Sequence, residues 1–429
     1  MSRHTHRITI PLASALAAAV LAIGCGEAHR DAKPAPPPPD AAALGGDFTY
    51  DSLLALLGNS DAFYRERTLA EVLPKLGPQG VPIVKEVLEE TSTAKIELGN
   101  ADYELLIRYW ALHQPKDAAS YAYGHSPRGY QAGAILATVQ EWMKVDPEGA
   151  LVTVRLWAKE EGDFGAATQV GLVRGWYDSG KPGLETYIHD LGATFDRQRA
   201  LTTYSTSVIR AHDPDTLIRW AEAVPDADPV YKVEVFRAVG DALVPFDIEA
   251  AQRFCEKNCD GPNGSKVRNR IAMRWATLGD SPAALEWLAK GEQDKDTQFS
   301  VRRTYAVWGG AHRKSAVEWM KNKVAGDPPK WVEPALPVYI ELVGRDAPVE
   351  GIEVATRFST TPEEREDYVV KIARHWRQKD EKAAEEWLAN SKLDAAALEK
   401  IRAPQTEYEG ILLKQEARQD EIDASLVHD

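Results

Sequence analysis

Three cysteines, ten histidines and a few glycine- and serine-centred runs are the residues of this chain whose types and spacing could do chemistry. Cys255 and Cys259, in FCEKNC, stand four apart at the end of an expected helix, which puts both on one face. Such a pair forms a disulfide in an oxidising compartment or stays as two thiols. Dithiol redox chemistry is not expected, because that motif has two intervening residues and this one has three. The run GWYDSGKP, Gly175 to Pro182, has the spacing of a phosphate-binding loop. However, Pro182 stands where a hydroxyl would hold magnesium, and the run falls in a turn between helices instead of after a strand. GHSPRG, from Gly124, lacks the spacing of a nucleophile elbow, so Ser126 reads as a loop residue. His113, His212 and His312 sit in turns far apart, and no zinc spacing or calcium loop occurs. The residues therefore predict no catalytic centre, no metal and no cofactor.

Cys25 belongs to a different pattern. Arg3 and Arg7 precede an uncharged, mostly apolar stretch from Ile8 to Ile23, which is a secretory signal pattern. It is marginal in length for spanning a bilayer. Its end, LAIGC followed by Gly26, resembles the lipobox of bacterial lipoproteins, with Ala22 standing where leucine is commonest. The resemblance implies that residues 1–24 are a signal peptide, that Cys25 receives a diacylglycerol and palmitate, and that acyl chains hold the protein on a membrane. In that family an aspartate after the cysteine favours the inner membrane, so Gly26 favours the outer one. Residues 25–47 then include HRDAKPAPPPPDAAALGG, whose four consecutive prolines favour extended polyproline II and make a spacer.

The rest of the chain must position whatever these residues do. With 429 residues, 44% hydrophobic and 27% charged, it can bury a long core. Its net charge of −14 disfavours nucleic acid, which needs a basic surface.

A phrase recurs along it: WATLGDSPAALEW from Trp275, WGGAHRKSAVEW from Trp308, WRQKDEKAAEEW from Trp376. Extended outward, pairs of apolar or aromatic residues 11 or 12 apart mark ten units: Leu76/Val87, Trp110/Tyr121, Trp142/Thr153, Trp176/Tyr187, Ile209/Trp220, Leu243/Phe254, Trp275/Trp287, Trp308/Trp319, Val343/Val354 and Trp376/Trp387. Their first members are 32 to 35 residues apart, and a fixed period in this range marks a solenoid.

Each unit reads as two helices. Val267, Ile271, Trp275 and Leu278 keep helical spacing; Asp280, Ser281 and Pro282 supply a break, an N-cap and a first-turn proline; Ala284, Leu285, Trp287 and Leu288 face the core of the next helix. At Thr361 a cap, Pro362 and two glutamates likewise open a helix. A lone hairpin cannot cover its apolar face, but stacked hairpins can. The tryptophans are expected to fill the gap between helices. No strand pattern occurs, so the fold class is all-α.

The period and LGDSPAALEWL resemble the turn and second helix of tetratricopeptide repeats; HEAT repeats are similar in design. The resemblance implies a right-handed αα-superhelix of about ten hairpins over residues 48–395, with a capping helix and polar tail over 396–429. It also implies a scaffold that binds a protein or peptide on a concave surface. Arg270, Arg303 and Lys371 each lie five residues before a unit's marker residue, with Arg274 and Arg374 nearby, and predict a basic strip facing an acidic partner. The expected function is a membrane-anchored, exported scaffold at the bacterial cell envelope. A glycan-binding or glycan-processing superhelix and a plain structural spacer are the alternatives.

Overall fold

Five of the ten units turn their chain on a single residue. Gln114, Asp146, His312, Ala347 and Asp380 each end one helix and begin the next. The geometry follows from hydrogen bonds counted in fours. The N–H of Gln114 donates to the carbonyl of Trp110, and the carbonyl of Gln114 accepts from Ala118; the same relay runs Trp142, Asp146, Ala150 and Trp308, His312, Ala316. So tight a turn brings the two helices almost into backbone contact, and the residue eight after the marker must be small. Ala118, Ala150, Ala316 and Ala384 are wholly buried there. At Gly351 even a Cβ would come 2.4 Å from the Cα of Gly344.

The structure, a computed structural model, describes residues 48–157, 164–260 and 263–404. The signal segment, Cys25, the proline-rich linker and residues 405–429 lie outside them. Among the described residues there are 22 α-helices and no strand. They form ten hairpins, from Ala62–Val72 with Val81–Ser92 to Pro362–Lys379 with Glu381–Asn390, flanked by Tyr50–Leu57 and Ala395–Arg402. The chain is an all-α helical-repeat superhelix. No described helix is long and apolar enough to cross a membrane.

Helix starts follow capping chemistry. Asp213, Asp228, Asp247, Asp294, Asp380 and Asp394 each accept a backbone N–H three residues on. Thr361 caps its helix as expected. At Asp280–Pro282 the cap is Asp280, bonded to Ala283 N, and Ser281 is already helical. The longer carboxylate reaches the exposed N–H while the Ser281 hydroxyl turns back to Ala276 O.

The marker pairs touch. Ring centroids are 5.0 Å apart for Trp110/Tyr121, 5.6 Å for Trp176/Tyr187, 5.7 Å for Trp308/Trp319 and 6.0 Å for Trp376/Trp387. In the third unit the partner of Trp142 is Trp157, not Thr153. Each such ring, taken from water, stabilises the array by about 1.5–3 kcal/mol. The buried core runs from Leu53 to Val343, and clusters around Ile372 and Leu388 continue it.

Every first helix packs on the first helix of the next unit, and every second helix from Val81–Ser92 to Pro348–Phe358 seats against that same neighbour. Second helices do not pack extensively on one another. The layer of first helices, called the inner layer, is the denser one. Its tightest seam joins Arg128–Val145 to Phe164–Ser179, where a Cβ on Gly175 would lie 2.2 Å from Gln140 O.

Candidate functional site

In the middle of the array one side of each first helix, the inner face, is left uncovered by its neighbours. Lys295–Ala311 shows the rule. Gly264–Ala276 covers one flank, the Lys330–Ala335 turn and Leu336–Asp346 the other, and Ser281–Leu288 with Arg313–Lys323 the back. The side left open carries Phe299, Arg302, Arg303, Ala306, Val307 and Gly310, a stripe at helical spacing. Phe299 is 60% exposed and Val307 59%. The matching stripe of Gly264–Ala276 carries Lys266, Arg270, Met273 and Arg274. The second stripe contains no carboxylate, and the first has only Asp296, one turn before Phe299.

The five residues of the expected basic strip separate into two groups. Arg270 Nε lies 2.9 Å from Asp241 of the preceding unit, and Lys371 Nζ lies 4.0 Å from Glu341 of its own preceding unit. These pairs are equivalent: a base five before one marker meets an acid two before the previous marker. Arg374 donates to the carbonyls of Lys400 (2.6 Å) and Pro404 (2.9 Å), holding the flanking helix in place. Three of the five are therefore bound within the chain. Arg274 and Arg303 are exposed and have no ion pair among the described residues. For Arg303 the reason is visible in the repeat, since the acid's position is Met273.

Two arginines that the sequence reading missed join them. Arg302 is exposed beside Arg303. Arg237, in Pro229–Leu243, lines a small cleft of about 110 Å³ with Gln198, Thr202, Glu234, Asp241 and Arg270. Its Nε is buried without a hydrogen-bond partner. Both stand six before their unit's marker, a position that repeat alignment could have flagged. The inner face of units six to eight thus holds four guanidiniums, Arg237, Arg274, Arg302 and Arg303, that no described carboxylate pairs.

Elsewhere several inner-layer arginines are paired across repeats, although Arg174 and Arg210 have no ion pair among the described residues. Arg65 bonds Asp102, Arg108 bonds Glu141 and Arg197 bonds Glu234, across 37, 33 and 37 residues, about one repeat each. Burial pushes the neighbouring Tyr231 phenol up to about 12, with the Arg197 charge pulling the other way.

The other motifs serve structure. Lys181 donates to Val145 O, and Trp176 Nε1 to Pro182 O, so GWYDSGKP is a packed turn between two helices. Ser126 shares a hydrogen bond of 2.8 Å with buried Tyr103. His113 edges against Tyr109, at the end of its helix. Cys255 and Cys259 are joined by a disulfide, their Cα atoms 4.8 Å apart. An open cleft of about 530 Å³ on the outer layer is lined by Lys85, Glu89, Trp110, Asp117, Tyr121 and His125. Trp110 and Tyr121 are nearly wholly buried there and offer a sugar no stacking platform.

The fold defines a class, the all-α helical-repeat proteins. Comparison with known proteins adds no narrower identity. No known family matches the chain, and no curated protein does. One solved structure that matches is a crystal structure described as an engineered protein, 13% identical over 83% of this chain and 99% of that one, with a TM-score of 0.24. Likeness at that level carries no argument about either fold or function.

Proposed function

We propose that this chain is an exported, lipid-anchored, non-enzymatic scaffold that binds a protein or peptide partner at the bacterial cell envelope. The observation that carries this reading is the inner stripe of units six to eight, where unpaired arginines flank exposed Phe299 and Val307. Unpaired guanidiniums grouped on one face of a chain of net charge −14 call for an anionic partner. Exposed apolar side chains among them add area for a protein surface. The Cys255–Cys259 disulfide fits an oxidising compartment outside the cytosol. The lipobox resemblance at Cys25, followed by Gly26, fits attachment to the outer membrane.

In-cell cross-linking followed by affinity purification tests the scaffold. One protein recovered in stoichiometric amount with the native chain, and lost with Arg302→Glu/Arg303→Glu, supports it. Recovery of glycan fragments without any protein would overturn it in favour of the cell-wall reading. The anchor has its own test: labelling with an alkyne fatty acid should mark the native chain and not Cys25→Ala.

A further inference from the structure

An acidic segment of this chain follows the last described residue, Pro404. Residues 405–429, QTEYEGILLKQEARQDEIDASLVHD, contain seven Asp or Glu and two Lys or Arg. Apolar Ile411, Leu412, Leu413 and Ile422 are set among them. The structure fixes where this segment begins. Arg374, in the last unit's first helix, holds the Pro404 carbonyl at 2.9 Å, so the segment starts beside the layer of first helices that carries the stripe. The distance is short. Two first-helix steps separate Pro362–Lys379 from Lys295–Ala311, roughly 20 Å at the usual 8–10 Å per helix contact. The 25 residues of the segment reach about 37 Å as a helix and about 80 Å extended.

We infer that segment 405–429 docks on the inner stripe of units seven and eight, its carboxylates against Arg274, Arg302 and Arg303 and its apolar residues on Phe299 and Val307. Two features of the chain then have one cause. Three arginines lack carboxylates on their own repeats because the segment supplies them. Phe299 and Val307 stand out of the folded array because the segment covers them. The inference goes beyond the scaffold reading: an external anionic partner would have to displace the segment, and a cross-link within one molecule, as against one to another protein, tells the two apart.

The test uses the full chain. Arg303→Lys introduces an amine on the stripe, and a carbodiimide should couple it to a carboxylate of 405–429 within the same molecule. Chymotrypsin cleavage after Leu413 should run about tenfold faster in Arg302→Glu/Arg303→Glu, the effect of a few exposed charge contacts acting together. Adding Glu416→Lys/Asp420→Lys/Glu421→Lys to that variant should restore the slow rate. Equal cleavage rates in the native and charge-reversed chains would overturn the proposal. So would cross-links that form only between two molecules and rise with concentration, which would assign the stripe to a second copy.

Discussion

Gly175→Ala should open the tightest seam of the superhelix. The added methyl would lie 2.2 Å from Gln140 O and 2.7 Å from Met143 Cβ, where real Cβ atoms keep at least 3.0 Å. Helices Arg128–Val145 and Phe164–Ser179 must therefore separate by roughly 0.8 Å. No rotamer can absorb this, since the opposing atoms are backbone and a Cβ. Overpacking of this kind costs about 1–3 kcal/mol, and the rigid neighbours place Gly175 at the upper end. Alanine recovers about 1 kcal/mol as the better helix former. The net loss is about 2 kcal/mol.

In a repeat array such a loss falls on one interface rather than on the whole chain. Hydrogen exchange in the seam, over Ala134–Met143 and Leu172–Trp176, should accelerate roughly 30-fold, and exchange in the last three units should not change. Gly310→Ala is the control, because its Cβ would meet nothing within 4 Å. It should be neutral or stabilising by up to about 1 kcal/mol. Seam exchange that is equally slow in Gly175→Ala and in the native chain would refute the reasoning.

Reducing the Cys255–Cys259 bond, or replacing both by alanine, should weaken the end of helix Ile248–Asn258 by about 2 kcal/mol, the loop-closure value for so short a span. Alkylation without reductant should leave both residues unmodified, and ready labelling would sink the assignment. Arg197→Ala leaves the Glu234 carboxylate half-encased without its cation, and should cost about 3–5 kcal/mol in urea unfolding. Arg197→Met with Glu234→Gln should cost less than half as much, and equal losses would show that the pair does not act as a unit. Burial holds the phenols of Tyr103, Tyr204 and Tyr305 above the ordinary value of 10. The neutral form belongs to the fold, so their contribution is whole below pH 10 and is lost as pH rises beyond it. These phenols should ionise only together with the loss of helical circular dichroism; a smooth titration near pH 10 with helix intact would contradict this.

Much of the fold was legible because its rule is written once per repeat. The tryptophan pairs report the register directly, since the carbonyl of the first closes the turn and the ring of the second meets it. The disulfide was legible as one of two options from spacing alone. What a single unit cannot show is what its neighbour places opposite. Arg270 and Arg303 occupy the same position, yet one meets Asp241 while the acid's place in the unit before the other is taken by Met273, so one is neutralised and the other has no ion pair among the described residues. Arg374 is a charge in sequence and a backbone clamp in the structure. Arg237 went unnoticed because its exposure depends on three helices meeting. Trp157 replaced Thr153 for a similar reason: a larger ring one turn later in the helix reaches Trp142.

The unequal density of the two helical layers sets how this molecule yields to force. Its inner layer is stitched tightly by helix packing, while its outer helices meet one another through side chains alone, as in Ser92 with Tyr121, Tyr123 with Trp157 and Lys257 with Glu222. Bending therefore has no single hinge. A small rotation at each junction opens or closes the arch, and the strain is shared along its length as in a leaf spring. An object held on the inner side would tighten the curve at every unit it spans, so a grip at one end changes the shape presented at the other.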